Sequence, residues 1–108
     1  MPAMHIIDDL TLWINENLES ELSINIVSAK SGYSAWHLQR VFKIATGESL
    51  GKYIKVRRLM AAAEELSKSD CPACRVYLKY NYDSYHSFSR AFKAYFKASP
   101  RQYRNKSL

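Results

Sequence analysis

The sequence carries one pattern twice, and this repeat constrains the fold more than any other feature. At an offset of 49 residues, Lys30, Tyr33 and His37 recur as Lys79, Tyr82 and His86; at an offset of 50, Arg40, Phe42, Lys43, Ser49 and Tyr53 recur as Arg90, Phe92, Lys93, Ser99 and Tyr103. Gly32 corresponds to Asn81, and both residue types tolerate the left-handed backbone of a tight turn. Trp36 corresponds to another aromatic residue, Tyr85. Each copy therefore predicts a helix-turn-helix unit, in which a bracing helix and a tight turn are followed by a helix with one polar face.

Apolar residues recur every three or four positions along nearly the whole chain, which predicts an all-α protein of about seven helices. The first predicted helix is amphipathic and carries Ile6, Leu10 and Ile14; the second runs from its cap Ser23 to about Ser31, and the third from its cap Ser34 to about Ala45, where Thr46 and Gly47 end it. A longer fourth helix, capped by Ser49, is predicted from Leu50 to about Ser67, and a weak fifth helix from about Ala73 to Tyr80. The sixth helix is predicted from its cap Asp83 to about Phe96, and the last begins at Pro100 after its cap Ser99. We expect helix-turn-helix subdomains at residues 1–48 and 70–108, joined by a linker helix at residues 49–69.

The second helix of each unit separates apolar from polar residues. The residues expected to face inward are Leu38, Val41 and Phe42 in the first unit and Phe88, Ala91, Phe92 and Tyr95 in the second. The residues expected to face outward are Trp36, Gln39, Arg40 and Lys43 in the first unit and Tyr85, His86, Ser89, Arg90 and Lys93 in the second. Arg and Gln make paired hydrogen bonds to base edges, and Lys neutralises phosphate. The outward residues therefore predict contact with the major groove of double-stranded DNA.

The charge of the chain also indicates an acidic partner. The net charge is +6, but residues 1–29 carry five acids and no Lys or Arg, whereas residues 71–108 carry eight bases and one acid. Such asymmetry favours a surface that faces a polyanion, with an acidic side behind it. An ordinary solvated basic face is the alternative interpretation.

Several other classes of protein are not supported by the sequence. No apolar run approaches the roughly 18 residues that span a bilayer, and the N-terminus lacks the basic and apolar regions of a signal peptide. We therefore expect a cytoplasmic protein without a membrane partner. We find no Gly-rich phosphate loop, paired carboxylates or nucleophile triad, so we expect neither an enzyme nor a cofactor.

The sequence "CPAC" places Cys71 and Cys74 at the spacing of a thiol redox pair or half of a zinc site. A redox pair of the thioredoxin type needs a strand-helix-strand setting, which is missing here. His5, His37 and His86 are scattered, so further zinc ligands would meet only by chance. The spacing is interpreted as a coincidence, and no metal site is expected.

Two segments resemble the AraC/XylS family of bacterial transcription activators. "SGYSAWHLQRVFKIATGESLGKYI" is similar to the first helix-turn-helix and linker of its small MarA/SoxS/Rob-type members, and "FSRAFKAYFKASPRQYR" is similar to the C-terminal signature. The resemblance implies a stand-alone DNA-binding domain without a small-molecule effector domain. It implies a monomer that binds asymmetric promoter sites, recruits RNA polymerase, and activates genes for stress defence and multidrug efflux. The implied reading residues are Trp36, Gln39 and Arg40 in the first unit and Tyr85, His86, Ser87, Ser89 and Arg90 in the second.

Some alternatives remain open at this stage. Tyr77, Asn81, Tyr85 and His86 depart from the family pattern, so the second unit is expected to read different bases or mostly phosphate. The whole chain could instead be a non-specific, architectural DNA-binding protein, or a helical protein-interaction module with an incidental basic face. A linker of roughly 17 residues spans about 25 Å, which with its flanking turns suits major-groove faces that lie ~34 Å apart on one duplex.

Overall fold

The computed structural model describes residues 2–70 and 72–107, and over these residues the chain forms seven α-helices and no strand. The helices are α1 (Pro2–Glu16), α2 (Ile24–Ser31), α3 (Ala35–Thr46), α4 (Leu50–Lys68), α5 (Ala73–Lys79), α6 (Tyr85–Phe96) and α7 (Pro100–Ser107). The prediction of an all-α fold with about seven helices and two helix-turn-helix units is confirmed. The chain divides into two compact units, Met1–Lys55 and Val56–Leu108, here called the first and second units.

The first unit is built on α1, α2 and α3, which contact one another and the beginning of α4. Its buried core consists of Ile7, Leu10, Ile14, Leu22, Val27, Leu38, Phe42, Leu50 and Ile54. The rings of Phe42 and Tyr53 meet edge to face at 5.3 Å between centroids. The Asn15 amide donates a hydrogen bond of 2.9 Å to the Tyr53 hydroxyl, which satisfies a polar group at the margin of the core. These contacts fix the back of α3 and leave its other side exposed.

The second unit is rich in aromatic contacts. Phe88 and Phe92 on α6 are fully buried, and the Phe92 ring packs against Phe96 at 4.5 Å and against Tyr103 of α7 at 5.5 Å between centroids. The prediction that Tyr95 faces the core is wrong, since its side chain is 46% exposed. Residues 88, 92 and 96 lie four positions apart on one side of the helix, so Phe96 takes the place expected for Tyr95.

The helix caps explain where the helices begin. Ser23, Ser34, Ser49 and Ser99 each accept a hydrogen bond from a backbone N–H three residues later, as predicted. The prediction that Asp83 caps α6 is wrong: the cap is Ser84, whose hydroxyl accepts from the Ser87 N–H at 3.1 Å.

This cap changes the correspondence between the two units. Helices α3 and α6 both have 12 residues, and their caps Ser34 and Ser84 are 50 residues apart. The change of offset therefore falls in the turn, where Asp83 is the additional residue. Along the two helices Trp36 corresponds to His86 instead of Tyr85, and His37 corresponds to Ser87 instead of His86.

Candidate nucleic-acid interface

The turn of the first unit directs α3 away from α2. Gly32 adopts φ +84°, a left-handed conformation that glycine takes without steric cost. Two residues later, Ser34 caps α3. His37 lies beside Tyr33, with 4.8 Å between ring centroids, on the side of α3 next to the turn. The helix is thus held firmly at the end where its polar face begins.

The exposed face of α3 brings together the four residues that the sequence places there. Trp36, Gln39, Arg40 and Lys43 are all exposed, while Leu38 and Phe42 on the opposite side are fully buried. Trp36 is 68% exposed, an unusual state for so large an apolar side chain. The Arg40 guanidinium lies over the Trp36 ring, 4.8 Å from its centroid. A stack of this kind is worth about 0.5–1 kcal/mol at an exposed site, and it orients the guanidinium.

The cations on α3 are not neutralised by neighbouring acids. Within the described part of the chain, Arg40 and Lys43 have no carboxylate oxygen within 4.0 Å. In contrast, Lys68 and Lys79 lie 2.8 and 2.9 Å from glutamate oxygens. The charges of Arg40 and Lys43 are therefore available to an anionic partner.

A cleft of about 600 Å³ lies beside α3 in the first unit. Apolar side chains from the segment before α2, the start of α2, α3 and the first turns of α4 line it, among them Leu22, Ile24, Ile44, Leu50 and Ile54. The sequence analysis did not predict this cleft. The signal that indicates it is Ile44, an apolar residue that lies at a solvent-facing position of α3 and is 81% exposed.

The turn of the second unit uses other residues for the same geometry. Asn81 adopts φ +63°, so it takes the left-handed position that Gly32 has in the first unit. Tyr82 follows, and its ring packs edge to face on Phe88 at 5.3 Å between centroids. Burial raises the pKa of Tyr82, and burial lowers the pKa of Arg58. The positive charge of Arg58 partly offsets the rise at Tyr82, because it stabilises the phenolate.

The polar face of α6 is also exposed, but its chemistry differs from that of α3. His86, Ser87, Arg90 and Lys93 are exposed, and Ser89 is half-buried. Among the described residues, no carboxylate lies within 4.0 Å of Arg90 or Lys93. The helix therefore repeats the two cations of α3 but presents a histidine and serines in place of Trp36 and Gln39.

Tyr85 differs from its neighbours on α6. It is half-buried, and its ring lies 6.2 Å from the Tyr77 ring and 6.3 Å from the Phe88 ring, centroid to centroid. It occupies the position that Ala35 has in α3. Tyr77 thus makes a direct ring contact with one of the predicted reading residues.

Other kinds of site have no support in the described part of the chain. The side chains that the structure describes include no cluster of three or more His, Cys, Asp or Glu residues that would hold a metal ion. Over residues 2–70 and 72–107, no helix combines the length and hydrophobicity needed to cross a bilayer. Cys71 and the side chain of Cys74 lie outside the described residues, so the interpretation of the "CPAC" sequence remains a prediction.

Comparison with known proteins supports a nucleic-acid interface. A family described as a helix-turn-helix domain matches residues 27–106. The chain is 45% identical over 107 residues to the transcriptional regulator Rob of Salmonella typhimurium, covering 99% of this chain and 37% of that protein. It is 47% identical over 92 residues to the multiple antibiotic resistance protein MarA of Escherichia coli, covering 85% of this chain and 72% of that protein. The chain thus spans little more than a third of Rob and most of MarA.

Solved structures have the same fold. The C-terminal domain of the response regulator AraT from Geobacillus stearothermophilus superposes with a TM-score of 0.86 at 28% identity, covering 94% of this chain and 84% of that domain. The DNA-binding domain of the transcriptional factor AdpA, solved in complex with a target DNA, superposes with a TM-score of 0.87 at 21% identity. This superposition covers 93% of this chain and 90% of the AdpA domain.

Proposed function

Because this chain belongs to the AraC family of helix-turn-helix DNA-binding transcription regulators, we propose that it activates transcription by inserting α3 and α6 into the major groove of a promoter. Members of this family are regulators and not enzymes. One observation carries the proposal. Two helices of 12 residues each bury apolar side chains on one side and present an Arg and a Lys on the other, and among the described residues no carboxylate lies within 4.0 Å of these cations.

On α3, we assign base recognition to Gln39 and Arg40. Both are long side chains with paired hydrogen-bonding groups, which suit adenine and guanine edges respectively. The stack on Trp36 holds the Arg40 guanidinium in place before DNA binds, which lowers the entropy lost on binding. The exposed Trp36 ring contacts thymine methyl groups or sugars, and Lys43 contacts phosphate.

On α6, phosphate contacts have the larger share. Arg90 and Lys93 occupy the positions of Arg40 and Lys43, so they contact the duplex in a similar way. His86, Ser87 and Ser89 are short, and each makes at most single hydrogen bonds to bases or phosphates. Tyr85 lies at the edge of this face and supports it through its ring contacts.

A single chain carries both faces, so a monomer is sufficient to occupy two neighbouring major-groove segments. Footprinting of the duplex tests this arrangement. We expect two protected segments about one helical turn apart, with one protein chain per duplex. Protection of one segment alone, with α6 dispensable for affinity, would contradict it.

The names of the relatives suggest which genes are regulated. Because MarA is a multiple antibiotic resistance protein, we assign this chain to the control of drug-resistance and stress-response genes. Activation implies RNA polymerase as the protein partner. The N-terminal stretch of residues 1–29, which has five acids and no Lys or Arg, is the surface we assign to that contact.

Selection of binding sites from a random duplex pool, followed by competition with scrambled duplex, tests sequence-specific recognition. We expect the selected site to be bound at least about 10³-fold more tightly than scrambled DNA at the same salt concentration. Equal affinities would favour the architectural DNA-binding protein instead. Absence of DNA binding at low salt would favour the protein-interaction module.

Substitution of Arg40 tests the assignment of base contacts. Arg40→Ala should cost about 1–3 kcal/mol on the selected site and relax one base position. Arg75→Ala is the matched control, since Arg75 is exposed but lies on α5, outside both reading helices. An equal loss of affinity on every DNA sequence would show that Arg40 contacts phosphate and not a base.

A further inference from the structure

The cleft beside α3 combines apolar walls with cationic groups. Its apolar lining comes from three helices of the first unit and from the segment before α2, and it includes Leu22, Ile44 and Ile54. Arg40, Lys43 and Gln39 also line it, and none of its described lining residues is acidic. A cleft of about 600 Å³ lies within the range of small-molecule sites in proteins, about 300–1,000 Å³.

The DNA contacts that we assign to α3 include the Trp36 ring but leave Ile44 without a role. Ile44 is 81% exposed, and it follows Lys43 on the helix that we assign to the major groove. Trp36, 68% exposed, also lines the cleft. Exposed apolar surface that is rimmed by polar residues commonly marks a binding site.

The charged residues at the rim of the cleft indicate which kind of ligand would bind there. Arg40 and Lys43 have no carboxylate partner among the described residues, so an anionic group that approaches them meets no acid in the cleft. Hydrogen bonds between cations and anionic oxygens are the stronger kind. We propose that this cleft binds an amphipathic small molecule, an aromatic or alkyl body with one carboxylate or sulfonate group, and that such a ligand competes with DNA for α3.

Gly51 allows the cleft to be closed without disturbing the fold. It lies in the first turn of α4 and lines the cleft, and a Cβ atom at this position would meet no heavy atom within 4 Å. Its φ is not in the left-handed region, so a larger residue causes no backbone strain. In a helix, Leu is favoured over Gly by about 1 kcal/mol or somewhat less. Gly51→Leu therefore places a side chain in the cleft while the first unit stays folded.

The test uses 8-anilino-1-naphthalenesulfonate, a fluorescent aromatic monoanion, and its neutral counterpart N-phenyl-1-naphthylamine. The sulfonate should bind the wild-type chain about tenfold more tightly than the neutral compound, although it is the less hydrophobic of the two. Gly51→Leu and Ile44→Gln should each weaken sulfonate binding about tenfold or more. Leu12→Gln is the matched control, because Leu12 is 62% exposed on α1 and does not line the cleft.

Each part of this test has an outcome that overturns the site. Tighter binding of the neutral compound would show that Arg40 and Lys43 do not contribute to ligand binding. Unchanged affinity in both Gly51→Leu and Ile44→Gln, or an equal loss in Leu12→Gln, would show that the dye binds elsewhere. Circular dichroism of each variant confirms that the helices are intact.

Competition with DNA rests on the proposed function and is measured separately. At a dye concentration about ten times its Kd, the apparent DNA affinity of the wild-type chain should fall about tenfold. At the same dye concentration Gly51→Leu, which binds the dye about tenfold more weakly, should show a fall of only about twofold or less. If the dye and DNA bind together without interference, the proposal that they compete for α3 is wrong. If no DNA binds but the dye still depends on Gly51 and Ile44, the proposed function is wrong and the ligand site stands.

Discussion

Replacing Tyr85 and His86 one at a time should separate a structural role from a DNA-binding role. Tyr85 is half-buried, whereas the next residue, His86, is exposed on the polar face of α6. We expect Tyr85→Ala to destabilise the second unit. We expect His86→Ala to weaken DNA binding and to leave stability nearly unchanged.

The magnitudes follow from the contacts. The Tyr85 ring meets Tyr77 at 6.2 Å and Phe88 at 6.3 Å between centroids. Aromatic pairs are worth about 0.5–1.5 kcal/mol each beyond the area that they bury, so truncation to Ala should lower the free energy of unfolding by about 1–3 kcal/mol. An exposed substitution such as His86→Ala changes this free energy by about 0.5 kcal/mol or less. Loss of one hydrogen bond to DNA costs about 0.5–1.5 kcal/mol, or up to about tenfold in affinity.

Urea unfolding and fluorescence anisotropy with labelled duplex measure the two effects. Both tryptophans, Trp13 and Trp36, lie in the first unit, so tryptophan fluorescence follows that unit and circular dichroism follows both. Tyr85→Phe is the control, because it keeps both ring contacts and removes only the hydroxyl. The reasoning is refuted if Tyr85→Ala is as stable as the wild-type chain, or if Tyr85→Phe loses as much DNA affinity as His86→Ala.

Three further predictions concern the stability of the second unit. Ser84→Ala should lower the free energy of unfolding by about 1 kcal/mol and Asp83→Ala by about 0.5 kcal/mol or less, measured by urea unfolding; the opposite order would restore Asp83 as the cap. Lys97→Gly should raise that free energy by about 0.5–1 kcal/mol, because Lys97 has φ +62° at the end of α6; a variant no more stable than the wild-type chain would contradict this. Because burial raises the folded-state pKa of Tyr82, its contribution to stability is complete below the unfolded value of about 10 and is lost as the pH rises through the folded pKa. The wild-type chain should therefore lose more stability above pH ~10 than Tyr82→Phe, and parallel pH profiles would contradict this.

Much of the fold follows from local signals in the sequence. Ser34 caps α3 and Gly47, with φ +85°, ends it, because both functions depend on the backbone within one helical turn. Apolar spacing correctly assigns Leu38 and Phe42 to the buried side. The exposure of Trp36, Gln39, Arg40 and Lys43 follows from the same helical period.

The remaining features depend on competition between residues or on contacts across the fold. Asp83 and Ser84 are both good caps, and the choice between them depends on the register that buries Phe88 and Phe92. The residue type does not predict the left-handed backbone conformation of Lys97, since lysine rarely adopts this conformation. The cleft lined by Ile44 forms only when three helices meet, so no local pattern predicts it.

The corrected register changes what the repeat implies about DNA recognition. With Ser34 and Ser84 as equivalent caps, Arg40 and Lys43 correspond to Arg90 and Lys93, while Trp36 and Gln39 correspond to His86 and Ser89. The residues to which we assign phosphate or guanine contacts are therefore retained in both units, and those to which we assign further base contacts are present mainly on α3. Phosphate contacts fix position without reading sequence, whereas paired side-chain contacts discriminate between bases. A selected DNA site should therefore be asymmetric, with the stronger base preference in the half that α3 contacts.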